Sequence, residues 1–138
     1  MNSSCIFCKI VNGEIPASKI LETPDVLAFM DINPVTKGHT LVIPKAHYNP
    51  LSEVPDELLG KIIVAVKQIM KAQIKGLEAD GVNVTQANGE IAGQIINHVH
   101  FHVIPRYNKN ENPRNWKPGK YSSPEEMEIY KSKIKQAL

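Results

Sequence analysis

The sequence predicts an α+β domain: an antiparallel sheet of about five strands, one long helix and a C-terminal helix. Three patterns carry that expectation. Leu58, Leu59, Ile62, Ile63, Val66, Ile69, Met70, Ile74 and Leu77 recur at helical spacing, which marks one amphipathic helix. Strand-like runs gather around that helix instead of alternating regularly with further helices, which argues for antiparallel pairing. Finally, the run His98-Val99-His100-Phe101-His102-Val103 alternates histidine with apolar residues. In a strand, successive side chains point to opposite faces, so three imidazoles share one face and Val99, Phe101 and Val103 the other.

Each element has its own local reason. Cys5 to Asn12 reads as a short turn or helix, and Gly13 to Pro16 as a loop. Lys19 to Glu22 and Val26 to Met30 are apolar and β-branched runs around Thr23-Pro24-Asp25, a hairpin pattern. His39 to Ile43 is a third strand, closed by Pro44. The long helix spans Asp56 to Leu77, with Pro55 suited to the first helical position. Asp56 and Glu57 sit at the positive end of its dipole, and Lys71, Lys75 and Gly76 suit its finish. Val82 to Ala87 is a fourth strand, Asn88 to Gly93 a glycine-containing loop, and His98 to Ile104 the histidine strand. After a loop from Asn108 to Ser122, Ser123 as N-cap, Pro124 at the first position and Glu126 at the third open the last helix. Its apolar stripe is Met127, Tyr130 and Ile134.

A chain of 138 residues fills one hydrophobic core and is short for two. A single domain over 1–138 is therefore expected, with its core at about 5–107 and an extension from 108 to 138. The formal net charge is +2 and the basic residues are scattered, so no polyanion-binding face is expected. Lys131, Lys133 and Lys135 read as a solvated helix face, and no nucleic-acid partner is inferred from them. No apolar run approaches the roughly 20 residues that span a bilayer. Met1-Asn2-Ser3-Ser4 lacks the basic and apolar regions of a secretory signal, so a cytoplasmic protein is expected, with no membrane partner. Its two cysteines are then reduced thiols, available to a metal.

A row of imidazoles is a row of nitrogen nucleophiles and donors. A histidine-rich solvated face or a structural metal strand are the alternatives, although a polar face would more often use Thr, Lys or Glu. Cys5-x-x-Cys8 is compatible with zinc, redox chemistry or chance. Asp31 has a second reading as a turn residue before Asn33-Pro34, and Phe29 reads as a core residue ahead of a base contact.

The run His98 to Ile104 resembles the His-φ-His-φ-His-φ-φ signature of the histidine triad superfamily of nucleotide hydrolases and transferases. Cys5-Ile6-Phe7-Cys8-Lys9-Ile10, Gly13-Glu14-Ile15-Pro16, Phe29-Met30-Asp31-Ile32, Gly38 to Lys45, His47, Ala92-Gly93-Gln94 and Pro105-Arg106 fall in that family's order. The resemblance therefore covers almost the whole chain. Pro105-Arg106 and the segment 116–127 resemble the dinucleoside polyphosphate hydrolase branch more than the phosphoramidase branch.

The resemblance implies that His100 is a nucleophile that forms a transient nucleotidyl-imidazole, which water hydrolyses. A neutral imidazole offers one free lone pair if a hydrogen bond fixes its tautomer. His102 and His39, with backbone groups around Gly93, are implied to hold the charge that develops on the nonbridging oxygens. Asp31 is implied to grip ribose hydroxyls, which a carboxylate accepts in pairs, with Ile32 and Phe29 against a purine base. Asn88, Gly93 and Gln94 complete the implied nucleotide site. The zinc-bearing members of the superfamily imply a closed, structural site made of Cys5, Cys8, His47 and His98. A homodimer, joined through the long helices and strands, is implied as well.

Two positions depart from the family pattern. Ala87 stands where an Asn or Gln contacts the reacting phosphate, and Ile95 follows Gly93-Gln94 where Ser or Thr is common. Each lost transition-state hydrogen bond costs roughly 2 to 4 kcal/mol of barrier. The leading expectation is a hydrolase that cleaves at the α-phosphate and releases a mononucleotide from a dinucleoside polyphosphate or related conjugate. A catalytically weak, zinc-stabilised nucleotide-binding protein, a phosphoramidase and a nucleotidyl transferase are the alternatives.

Overall fold

The structure is a computed structural model that describes residues 2–108 and 111–138, so Lys109 and Asn110 of the expected loop lie outside the described residues. The elements run α1 (Ile6–Val11), β1 (Lys19–Glu22), β2 (Val26–Met30), β3 (Thr40–Pro44), α2 (Asp56–Leu77), β4 (Gly81–Gln86), β5 (Phe101–Arg106) and α3 (Pro124–Gln136). Single 3-10 turns lie at Leu51–Glu53 and Glu90–Ala92. The five strands form one antiparallel sheet in the order β1-β2-β3-β5-β4. β5, last in sequence, thus lies between β3 and β4.

β2 and β3 are covered on both faces, which is why they read as largely apolar runs and are buried throughout, whereas β4 at the edge is not. Their alternation divides the core. Val26, Ala28, Met30 and Val42 join Ile62, Val66 and Ile69 of α2, while Leu27, Phe29, Leu41 and Ile43 join Phe7 and Ile10 of α1. Val99, Phe101 and Val103 belong to the α2 side. The histidines are therefore left on the α1 side, as the alternation predicts. Each fully buried isoleucine of α2 contributes about 1.5–3 kcal/mol relative to exposure.

Three boundaries differ from expectation. β5 begins at Phe101 rather than His98, because both its ladders run out there. The next β3 partners lead to Pro44, which has no N–H, and the β4 pairing ends at Gln86. Pro55 is the N-cap of α2, with extended ψ of 142°, rather than its first residue. Gly76 lies inside α2, which ends at Glu78 in a left-handed cap. A Cβ on Gly76 would lie 2.3 Å from the Lys133 carbonyl oxygen, so this glycine lets α3 close on α2.

Candidate active site and metal centre

His102 projects from β5, and His100 and His39 from the residues immediately before β5 and β3. Each ring has its tautomer set by a partner. The backbone N–H of Val35 donates to His39 Nδ1 at 3.0 Å, so the His39 proton is on Nε2. That Nε2 lies 2.9 Å from His102 Nδ1, which must accept, leaving the His102 proton on Nε2. His100 Nδ1 lies 2.7 Å from the His98 carbonyl oxygen and donates to it, so a lone pair remains on His100 Nε2. The result is a nucleophilic nitrogen on His100 and an N–H donor on His102.

Burial keeps these rings neutral, as the tautomers require. His39 is pushed down to about 3, chiefly by burial and then by His102, Arg106 and His100. His102 is pushed down to about 4 by burial and His100. Burial also lowers His100, against the opposing pull of the His98 carbonyl. The His39 loop is pinned by Asp31 N–H donating to His39 O and His39 N–H to Thr36 O, both at 3.0 Å.

Asp31 shows the contact of its turn reading. Its Oδ1 accepts from Asn33 N–H at 2.8 Å, a turn contact, while Oδ2 lies 3.5 Å from His39 Nε2. Burial raises its carboxyl above the usual range. Ile32 is 69% exposed beside it, available to a flat ligand. Phe29 is core, packed edge-on against Phe7 at 5.6 Å, and Phe7 in turn meets the His100 ring edge-on at 5.3 Å.

The loop before the triad is self-contained. Gln94 is buried, with Oε1 accepting from Gly89 N–H and Nε2 donating to Asn49 Oδ1 and the Ile96 carbonyl. Its amide braces the loop. Gly93 N–H is likewise used on the Glu90 carbonyl. Asn88 Oδ1 accepts from Leu51 N–H at 2.8 Å, and its amide exchanges bonds with Gln86, so it does not take the place of the amide missing at Ala87.

Beside His100, the donor atoms of Cys5, Cys8, His47 and His98 all lie within 4.8 Å of one another. Cys5 Sγ is 3.4 Å and Cys8 Sγ 3.6 Å from His98 Nδ1, and Cys8 Sγ is 3.4 Å from His47 Nδ1. Tetrahedral zinc with ordinary bond lengths separates its sulfur and nitrogen ligands by about 3.5 Å. His98 Nε2 donates to the Pro44 carbonyl at 2.8 Å, which leaves Nδ1 unprotonated toward the cluster, the usual outer partner of a metal-binding histidine. The donor set therefore fits zinc.

Asp31, His39 and His102 also come within 4.8 Å. Here the tautomers argue against a metal. Ligation through His39 Nε2 would move its proton to Nδ1, opposite the Val35 N–H, placing two donors face to face.

Arg106, Thr36, Tyr107 and Tyr121 were not singled out as site residues by sequence, yet they hold this region. Thr36 Oγ1 donates to the Pro105 carbonyl, Tyr107 Oη to the Lys37 carbonyl, and Gly38 N–H to Tyr121 Oη. The Arg106 guanidinium is committed to Asn83, Glu111 and the carbonyls of Pro113 and Asn115, and lies over the Trp116 ring.

Comparison with known proteins agrees with this geometry. A family model described as the HIT domain matches residues 12–109. A HIT-like protein of Methanocaldococcus jannaschii is 56% identical over 103 residues, covering 75% of this chain and 79% of its own. The adenosine 5'-monophosphoramidase hnt1 of Schizosaccharomyces pombe is 46% identical over 135 residues, 98% of each chain. Among solved structures, a Zn-bound histidine triad family protein from Mycobacterium smegmatis superposes with a TM-score of 0.83 at 36% identity, covering 96% of this chain and 94% of that one.

Proposed function

This chain belongs to the HIT domain family, and from that premise we propose that it is a nucleotide hydrolase that cleaves at the α-phosphate through a nucleotidyl-His100 intermediate. The observation that carries the reading is the set of tautomers that leaves a free lone pair on His100 Nε2 and a proton on Nε2 of both His39 and His102. In the first step that nitrogen attacks phosphorus, the bond from phosphorus to the leaving group breaks, and the leaving group departs with its electron pair and gains a proton. The ring becomes cationic, and the His98 carbonyl, accepting from Nδ1–H, favours that charge. In the second step water attacks the same phosphorus, loses its proton, and frees the mononucleotide and neutral His100.

His102 Nε2–H is the donor available to a nonbridging oxygen, and His39 acts through His102 by holding its Nδ1. Asp31 Oδ2 and Ile32 serve the ribose and base of the ligand. Zinc held by Cys5, Cys8, His47 and His98 supplies a structural crosslink that ties the N-terminal segment to the run before β5. The cytoplasmic location expected from the sequence belongs to this reading.

The favoured leaving group is an amine, making the substrate an adenosine phosphoramidate. The sequence lean toward dinucleoside polyphosphates rests on Pro105-Arg106 and on 116–127, and the Arg106 guanidinium is occupied in holding the chain that follows it. The near full-length relative from fission yeast is named for the phosphoramidate. A homodimer is supported by exposed Ile63, Val64, Met70 and Ile74 on α2, and by the edge position of β4, which carries exposed Val84.

The test is AMP release from adenosine phosphoramidate and from a dinucleoside polyphosphate by the wild-type and variant proteins. His100→Ala abolishes release from both, whereas His102→Ala and His39→Ala slow it by about two to three orders of magnitude. Ala87→Asn with Ile95→Ser raises the rate. Unchanged turnover in His100→Ala contradicts the assignment. A wild-type protein inert on every conjugate but rescued by the double change favours the nucleotide-binding alternative.

A further inference from the structure

Among the buried residues of α2, Gln73 is the one with a polar side chain, and it is wholly shielded from solvent. Its Nε2 donates to the Gly38 carbonyl at 3.1 Å and to the Val103 carbonyl at 2.9 Å. Its Oε1 has no partner among the described residues. The opposite sense of the amide would aim one carbonyl oxygen at two others, so the two acceptors fix its orientation. The amide leaves its own carbonyl unpaired while giving a donor to two backbone carbonyls, of which Gly38 O also accepts from Thr40 Oγ1, so its place in the core is tied to those two acceptors.

The two acceptors are placed tellingly. Gly38 precedes His39, and Val103 follows His102. The direct β3–β5 pairing covers Thr40–Val103, Leu41–His102 and Val42–Phe101, and stops short of Gly38. The Gln73 amide links Gly38, outside the ladder, to Val103 of its last rung, each the chain neighbour of one of the two histidines whose rings meet at 2.9 Å.

We infer that Gln73 is a positioning residue of the triad: its amide staples the Gly38 peptide to Val103 and so holds His39 Nε2 against His102 Nδ1. Its consequence for turnover rests on the hydrolase reading above, while its consequence for the histidines rests on geometry alone. With the staple removed, His39 drifts from His102, and His102 no longer has one tautomer imposed on it. The donor aimed at the phosphate is then present in only part of the molecules.

The experiment uses Gln73→Leu and Gln73→Met in the full chain. The expected result is kcat on adenosine phosphoramidate lowered about tenfold or more with KM changed by less than about twofold, whichever way the thermal midpoint moves. Histidine 1H–15N spectra then show His102 passing from a single Nε2–H tautomer to a mixture. A lowered midpoint with unchanged kcat and unchanged tautomers assigns Gln73 to the core and overturns the inference. Should both variants fail to fold, the wild-type spectrum decides: slow exchange of the Gln73 side-chain amide protons supports the staple, and free exchange overturns it. A wild-type protein inert on every nucleotide conjugate overturns the hydrolase reading, and the tautomer measurement still decides the role of Gln73.

Discussion

At His39, His100 and His102 the chemistry depends on which ring nitrogen holds the proton, and backbone groups make that choice. The His98 carbonyl fixes His100, and the Val35 N–H fixes His39 and through it His102. Alternation in the sequence shows that His98, His100 and His102 share a face, but a tautomer depends on peptide groups that chain turns bring into place. Gln94 illustrates the same limit. It sits inside the family motif and reads as a ligand contact, yet its amide is spent on Gly89, Asn49 and Ile96. Gln73 carried a usable signal, since it falls four residues after Ile69 and seven after Val66 on the buried stripe. The depressed histidines have a consequence for stability. His39 and His102 stand at about 3 and about 4 in the folded chain against an ordinary 6.5, so the folded state binds fewer protons than the unfolded one below that value. Their contribution is full above pH 6.5 and is lost as pH falls through the window toward 4 and then 3. Thermal midpoints measured across that window are expected to fall less steeply in His102→Gln than in the wild type, while parallel curves would remove the buried ring as the cause.

Among the elements, periodicity, capping and turn residues located α2, α3 and the five strands, Cys5 to Asn12 was open between turn and helix, and the differences lie at ends where a neighbour decides. β5 loses its ladder at His98 to His100 because Pro44 and the turn after Gln86 supply no partner, information that resides in other strands. Gly76 looked like a terminator and is a contact point between helices. This distinction is measurable against a second glycine of the same helix. Gly76→Ala drives a Cβ into the Lys133 carbonyl oxygen, and overpacking of this kind costs about 1–3 kcal/mol, more than the helix propensity gained. Gly60 meets nothing within 4 Å, so Gly60→Ala is expected to stabilise by about 0.5–1 kcal/mol. Denaturant melts of the two variants are expected to move in opposite directions, and a shift of the same sign in both would refute the packing role. The extension after β5 was legible only as a loop and a capped helix. Its use as a strap over the His39 loop, through Tyr121 on Gly38 and Lys37 on Glu126, comes from long-range contacts that local pattern does not encode.

Across the whole molecule, one sheet separates two cores and presents the triad on the α1 side, with the cysteine and histidine cluster next to it. Because Cys5 and Cys8 belong to the first helical turn and His98 to the approach to β5, a metal there would join the N-terminal segment to the histidine run across the fold. Protein purified without chelator is expected to carry about one zinc per chain, and Cys8→Ser to lose that metal and melt at a lower temperature while His100 remains chemically competent. Elemental analysis finding no zinc would remove this crosslink. In the proposed reaction the phosphorus undergoes two displacements, first by His100 and then by water. Each in-line displacement inverts phosphorus, so two restore its configuration. The stereochemical course at a chiral α-phosphorus, read by 31P NMR after hydrolysis in isotopically labelled water, tests this directly: retention is predicted, and inversion would show that water attacks the substrate in one step, contradicting a nucleotidyl-histidine intermediate.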